Sequence, residues 1–133
     1  MNKFLGSLVV VMAIALSAPA QTGKLPVVQK TSFRKDTVSI VRFGAKADGI
    51  TLNTQSINNA IDAISKKGGG VVVIPTGLWL TGPVVLKSNV NLHLQKNALL
   101  QFTRDFNQYP LVAGNWEGLP QMRNQSPISA TGA

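Results

Sequence analysis

Six ionisable side chains could take part in acid–base or metal chemistry, and they are scattered along the 133-residue chain. They are Asp36, Asp48, Asp62, His93, Asp105 and Glu117. No two of the acids are adjacent or two residues apart, and His93 has no second ligand at metal spacing. The sequence therefore predicts no complete catalytic constellation and no metal site.

The local sequence favours structural positions for most of these side chains. Asp48 begins an Asp-Gly pair, a turn sequence in which the aspartate side chain bonds its own backbone. Asp62 lies beside the apolar stripe of a predicted helix, and His93 lies on the polar face of a predicted strand. Asp105 and Glu117 fall in a segment rich in Pro, Gly, Asn and Gln, where we expect a surface position.

Two other residue types could bind a ligand. Trp79 and Trp116 could stack on sugar rings, although a large aromatic side chain more often packs in a core. Three consecutive glycines at 68–70 could suggest a phosphate loop. Such a loop needs glycines before a helix, so that the helix N-terminal amides face the phosphate, whereas here the helix comes first. The glycines are predicted to end the helix.

Residues 68–103 must position any such groups, because they hold most of the predicted strands. Short runs rich in Val, Leu, Ile and aromatic residues alternate there with Gly, Pro, Asn, Ser or Lys, which is the pattern of consecutive strands. The runs are 71–75, 78–81, 84–86, 90–95 and 98–103. Residues 38–43 suit an earlier strand.

Residues 54–67 carry a helical pattern. The spacing of the apolar residues defines one helix face, formed by Ile57, Ala60, Ile61 and Ile64. Asn53 or Thr54 offers a side-chain oxygen as N-cap, and Gly68 supplies the stop.

The pattern leaves two arrangements of the strands open. Linkers of two or three residues usually join antiparallel hairpins, whereas in a solenoid each short turn bends the chain toward the next face. Val71 and Val90 open comparable runs, and their separation approaches the period of about 20 residues expected of repeat architectures. After Thr103 we expect an irregular excursion pinned by Tyr109 and Trp116, followed by a strand at 128–130.

The first 20 residues predict an export signal. Lys3 precedes an unbroken apolar run, and Ala18-Pro19-Ala20 offers small residues to a signal peptidase. The run is too short for the ~30 Å of a bilayer core, so an anchor is not expected. We expect a signal peptide at 1–20, a lead-in at 21–37 and the folded part at 38–133, in a periplasmic or extracellular protein.

The composition narrows the possible chemistry and partners. The chain has no cysteine, which excludes thiol catalysis and leaves burial, instead of disulfides, as the source of stability. Its formal net charge of +8 would raise the rate of encounter with acidic partners such as nucleic acid or an anionic polysaccharide. The lysines are spread along the chain, however, which is equally typical of an ordinary solvated surface. Export favours an anionic polysaccharide over nucleic acid.

Seven tracts carry a resemblance to a known family: Phe43-Gly44-Ala45 with Asp48-Gly49, Asn53-Thr54 with Ile57, Ala60 and Ile61, GGVVVIP (69–75), GLWLTGP (77–83), LKSNVNLHL (86–94), WEG (116–118) and SPI (126–128). Together they resemble the N-terminal part of glycoside hydrolase family 28, the polygalacturonase-like enzymes. The last two tracts resemble its bacterial branch. The helix–glycine–strand opening alone is shared with other pectin-lyase-like proteins.

The resemblance implies an all-β fold: the first coils of a right-handed parallel β-helix (solenoid), with the helix at 54–67 as an N-terminal cap. It implies hydrolysis of α-1,4 galacturonide links with inversion. In that mechanism a carboxylic acid and the carboxylates that activate water stand about 6.5–9.5 Å apart. It further implies pectin or galacturonan as partner, no metal or other cofactor, no nucleic acid, no membrane after signal cleavage, and a monomer.

The family's catalytic motifs are Asn-Thr-Asp, Asp-Asp, Gly-His-Gly and Arg-x-Lys, and these residues contain none of them. Asn53-Thr54 is followed by Gln55, and His93 is flanked by leucines. We therefore assign no catalytic residue and no metal ligand, and leave substrate-binding residues unknown. We expect the motifs to follow Ala133 and the isolated segment to be inactive. A non-catalytic carbohydrate-binding or adhesin β-helix and a polysaccharide lyase remain open alternatives.

Overall fold

The computed structural model describes residues 27–28 and 30–130. The chain divides into two units, residues 1–30 and 31–133. In the first unit the described residues are exposed and belong to no helix or strand. The predicted signal peptide lies outside the described residues.

The described part of the second unit holds one α-helix, nine β-strands and two 3-10 helices. In chain order these are β1 Thr37–Ser39, a 3-10 helix Ile40–Phe43, α1 Thr54–Lys66, β2 Gly70–Ile74, β3 Gly77–Thr81, β4 Val84–Leu86, β5 Val90–Leu94, β6 Ala98–Phe102, a 3-10 helix Phe106–Gln108, β7 Leu111–Trp116, β8 Leu119–Asn124 and β9 Ile128–Ala130. The predicted helix and the five predicted consecutive strands are confirmed, and each of their ends lies within one residue of its predicted position. No helix of the described residues is long and apolar enough to cross a membrane.

The strands pair in parallel with strands one circuit further along the chain. The pairings are β1 with β2, β2 with β5, β3 with β6, and β4 with β9. One circuit runs through β2, β3 and β4, and the next stacks on it in the same order. A two-residue hairpin cannot join parallel neighbours, so the solenoid alternative is the correct one. The architecture is a parallel β-helix with three strands per coil.

One core joins the first coil to α1. The four apolar helix residues predicted to share a face are all buried. They pack in one cluster with inward side chains of the first coil, namely Val72, Ile74, Trp79 and Val84. This burial stabilises the helix, at about 25 cal/mol for each Å² of apolar surface removed from water.

The predicted strand at 38–43 is wrong in its second half. β1 ends at Ser39, and the chain turns into a 3-10 helix that Gly44 closes with a φ of 85°. The Ser39 hydroxyl oxygen accepts a hydrogen bond from the Val41 N–H at 3.3 Å, which favours the turn over continued strand. The turn places Ile40 in the core, where it is fully buried.

Asn53, one of the two predicted N-cap residues, occupies the N-cap position of α1, but its side chain makes no hydrogen bond to the helix N-terminus. The amide is buried against main chain instead. Its Oδ1 accepts from the Lys46 N–H at 2.7 Å. Its Nδ2 lies 2.9–3.1 Å from the carbonyl oxygens of Lys46, Thr51 and Leu80. Asn53 therefore ties the segment before α1 to β3.

The glycine triplet ends α1 as predicted. The N–H groups of Gly68 and Gly69 donate to the carbonyls of Ser65 and Ile64, at 2.9 and 3.0 Å. All three glycines have positive φ. A Cβ on Gly69 would lie 2.3 Å from the Asn89 carbonyl oxygen, so only glycine fits where the helix meets the second coil.

The excursion after Thr103 is not irregular, which corrects the prediction. β7 and β8 form an antiparallel hairpin. Its turn residues Glu117 and Gly118 have φ of 49° and 90°, the two positive values that a type I′ turn requires. Tyr109 pins the excursion as predicted, since its hydroxyl donates to the Thr103 carbonyl at 2.8 Å. Trp116 does not, because it is 68% exposed.

Replacing Asn53 by Ala tests the buried amide. We expect the free energy of unfolding to fall by about 3 kcal/mol, because each buried polar group left unpaired costs about 1–3 kcal/mol. Urea denaturation measures this value. Asn59, exposed on α1, is the matched control, and its replacement by Ala should change stability by less than about 0.5 kcal/mol. Equal effects of the two substitutions would contradict the role of Asn53.

A pair of glycine substitutions separates backbone strain from close contact. Gly44→Ala places a side chain at positive φ with no atom within 4 Å of the new Cβ. Its cost should be the strain alone, about 1–2 kcal/mol. Gly69→Ala adds the collision with Asn89, so its loss should exceed that of Gly44→Ala by about 1 kcal/mol or more. A Gly69→Ala protein as stable as Gly44→Ala would show that the coil junction is not tightly packed.

Candidate functional site

The ionisable side chains singled out in the sequence do not converge. Within residues 27–28 and 30–130, no three His, Asp or Glu side chains lie close enough together to hold a metal ion. Asp36, Asp48, Asp62 and Asp105 each make a local contact instead.

Asp48 closes the turn predicted for it. Its Oδ1 accepts from the N–H groups of Ile50 and Thr51 at 2.9 and 2.7 Å. Its Oδ2 accepts from the Thr51 hydroxyl at 2.6 Å. The bonds from the Thr51 hydroxyl and backbone, followed by that from Ile50, lower the pKa of Asp48 to about 2. A carboxylate stabilised in this way is a poor proton donor or acceptor near neutral pH.

Two further acids form exposed ion pairs. The Asp62 carboxylate lies 2.6 Å from Lys87 Nζ and joins α1 to the residue that follows β4. Asp36 lies 3.3 Å from Arg34. The side chains of both pairs are 41–60% exposed, and such pairs contribute at most about 1 kcal/mol each.

The remaining acids and the histidine are on the surface. Asp105 caps the second 3-10 helix: its carboxylate accepts from the Asn107 N–H at 3.0 Å and from Gln108 Nε2 at 3.2 Å. The Asn107 N–H and then the Gln108 amide lower the pKa of Asp105. Glu117 occupies the hairpin turn, and His93 is exposed on β5.

The two tryptophans differ in position. Trp79 is 2% exposed and donates from Nε1 to the Pro75 carbonyl at 2.7 Å, so it packs in the core as predicted. Trp116 lies exposed at the end of β7, so the prediction of packing is wrong for it.

The described residues form a pocket of ligand size, with a volume of about 530 Å³. Ligand sites in proteins span roughly 300–1,000 Å³. We call it the Arg104 pocket. Its walls come from the segment after β6 and from the chain that leaves the hairpin, and they include Phe102, Arg104, Phe106, Tyr109, Asn124 and Gln125.

Hydrogen bonds hold the two walls of the Arg104 pocket in place. The Thr103 N–H donates to the Thr81 carbonyl at 2.7 Å, which anchors the first wall to β3. The Tyr109 hydroxyl folds that wall back on itself through Thr103. The Gln125 N–H donates to the Pro110 carbonyl at 2.9 Å, which joins the second wall to the first. The pocket is therefore formed before any ligand arrives.

Acids, nucleophiles and metal ligands, the residue types that stand out in the sequence, do not reveal this pocket. The pocket is lined mainly by apolar surface, to which Phe102, Phe106 and Tyr109 contribute. The signal that could have found it is FTRDFNQY, in which one arginine lies among three aromatic residues at 102–109.

Comparison with known proteins gives the fold a family. The model of the family described as rhamnogalacturonase A/epimerase, pectate lyase-like, matches residues 37–115, which is more than half of the chain. A probable polygalacturonase from Vitis vinifera is 38% identical over 84 residues, covering 61% of this chain and 17% of that protein.

Solved structures agree with the sequence relatives. A hyperthermoactive exopolygalacturonase from Thermotoga maritima is 35% identical with a TM-score of 0.70, over 77% of this chain and 23% of that one. A family 28 exopolygalacturonase from Yersinia enterocolitica is 37% identical with a TM-score of 0.68, over 80% of this chain and 18% of that one. The chain spans less than a quarter of the length of each of these three proteins.

The resemblance to glycoside hydrolase family 28 drawn from the sequence is thereby confirmed, and it coincides with the stacked parallel strands described above. The chain belongs to the rhamnogalacturonase A/epimerase, pectate lyase-like family.

Proposed function

We propose that this protein is an exported glycoside hydrolase that cleaves galacturonide links of pectin-type polysaccharides with inversion. The observation that carries the proposal is the likeness to polygalacturonases in both sequence and structure. The basic balance of the chain supports a polymer that bears one carboxylate per sugar ring, because opposite charge raises the rate of encounter. The pattern of residues 1–20 supports export.

We assign the described coils a structural part in that enzyme, as the first coils of a right-handed β-helix with α1 as its N-terminal cap. Burial supports this role. Ile74 and Val84 of the first coil are fully buried, whereas their register partners Leu94 and Ile128 on the second coil are 41% and 49% exposed. The inward face of the second coil is thus covered only on the side of the first.

That asymmetry fits further coils of the same protein stacking on β5, β6 and β9. The length of the relatives supports the same arrangement. The catalytic carboxylates then belong to those coils, and residues 21–133 alone release no sugar. We propose a monomer, since stacking within one chain leaves no need for a second copy.

The full-length protein incubated with polygalacturonate tests the proposal. We expect new reducing ends, no unsaturated products that absorb in the ultraviolet, and products that first appear as the β anomer by NMR, because the α link is inverted. Residues 21–133 tested alongside should give no turnover.

The same assay discriminates the alternatives. Unsaturated products would identify a lyase, and polymer binding without new reducing ends would identify a carbohydrate-binding or adhesin β-helix. Either result contradicts the proposed hydrolase. Turnover by residues 21–133 would contradict the structural role given to these coils.

A further inference from the structure

We propose that the Arg104 pocket is a socket for the protein's own third coil, and that apolar side chains from one corner of that coil fill it. The existence of a third coil rests on the proposed function, whereas the choice of this pocket as its docking point rests on the geometry of the described residues. The proposal makes residues 103–127 part of the interface between two coils, in addition to the strands.

The pocket lies at a corner of the second coil, between β6 and β9. Phe102 is the last residue of β6, and its side chain packs against the core. Its register partner on the first coil, Thr81, is fully buried. Pro127, in the opposite wall, comes directly before β9. Among the described residues that line the pocket, none belongs to β2, β3 or β4. The strands of the first coil therefore supply none of its walls.

The strands on either side of the pocket each have an unpaired edge. β6 pairs with β3, β9 pairs with β4, and neither has a second partner within residues 27–28 and 30–130. A third coil that continues both ladders pairs with these two edges, as the second coil pairs with the first. The corner that joins its two strands then crosses the mouth of the pocket. A coil of the same chain thus reaches the pocket by extending ladders that are already present.

The lining of the pocket specifies the chemistry of the occupant. The lining is mainly apolar surface, to which Phe102, Phe106, Tyr109 and Pro127 contribute. Phe106 is 77% exposed, an unusual position for a phenylalanine, which is among the residues most often buried. Protein interiors hold few voids larger than a water molecule, so a space of about 530 Å³ beside the core is filled by side chains once a coil covers it. Large apolar side chains suit both its size and its lining.

Thiol labelling of the full-length protein tests the socket. Residues 1–133 contain no cysteine, so a cysteine introduced there reports its own exposure once any cysteine further along the chain has been replaced by serine. Phe106→Cys should react with a maleimide about tenfold or more slowly than Val41→Cys, because the third coil covers position 106 and labelling then requires local opening.

Val41→Cys is the matched control. Val41 is 51% exposed, and it lies in the 3-10 helix before α1, outside the lining of the pocket. In the two described coils Phe106 is the more exposed of the two residues, so an uncovered pocket gives the opposite order of rates. Labelling at position 106 as fast as at position 41 would overturn the proposal.

Thermal unfolding of the full-length protein gives a second readout that needs no cysteine. Phe106→Ala should lower the Tm, because truncation of a covered phenylalanine leaves a cavity. Val41→Ala should leave the Tm nearly unchanged, as expected for a surface position. Equal Tm values of Phe106→Ala and wild type would also overturn the proposal.

Labelling repeated with saturating polygalacturonate distinguishes the third coil from an external ligand. Fast labelling at position 106 that slows only when the polymer is added would identify a ligand as the occupant and overturn the proposal. Hydrolysis is measured separately, so the two proposals can fail independently. Protection of position 106 in a protein that does not hydrolyse polygalacturonate would retain the socket and reject the proposed function. Hydrolysis by a protein in which position 106 is open would retain the function and reject the socket.

Discussion

Parallel, in-register stacking of one coil on the next is the constraint on which the rest of this structure depends. Each strand of the second coil lies on the strand one circuit earlier, from Gly70 against Val90 to Val84 against Ile128. Inward side chains therefore form columns along the axis of the β-helix. A side chain in such a column is buried only where another coil or a helix covers it both above and below. Helix α1 supplies apolar cover for the first coil, which explains why its core residues exclude water so completely.

Stacked coils also require that the main-chain N–H and carbonyl groups at their turns find hydrogen-bond partners. A coil turns sharply between faces, and the peptide groups at each turn leave the strand ladders. Asn53 meets this demand with an amide that bonds the main chain of the segment before α1 and of β3. The glycine triplet meets it differently, through positive φ and the absence of a Cβ where α1 passes the second coil. Across the described residues, no buried side-chain polar atom lacks a hydrogen-bond partner.

The sequence predicts the elements of this fold better than their assembly. The five strands and α1 follow from alternation, punctuation and the spacing of Ile57 to Ile64, all of which are local. Whether the strands stack or form hairpins depends on partners about 20 residues away, so the pattern alone left both open. The capping role predicted for the Asn53 side chain failed for the same reason, because Leu80 reaches it only in the folded coil.

Strand β8 is exposed throughout and lacks the apolar alternation that would reveal the hairpin. The Arg104 pocket exists only because Gln125 returns to Pro110.

The measurement that tests the central claim most directly is the nucleotide sequence that follows the Ala133 codon in the gene. We predict an open reading frame that continues the β-helix pattern and contains Asn-Thr-Asp, Asp-Asp and Gly-His-Gly, so that the catalytic acids stand on coils stacked above β5, β6 and β9. A frame that continues as β-helix without those acids, or a stop codon directly after Ala133, would contradict a hydrolase built on these coils.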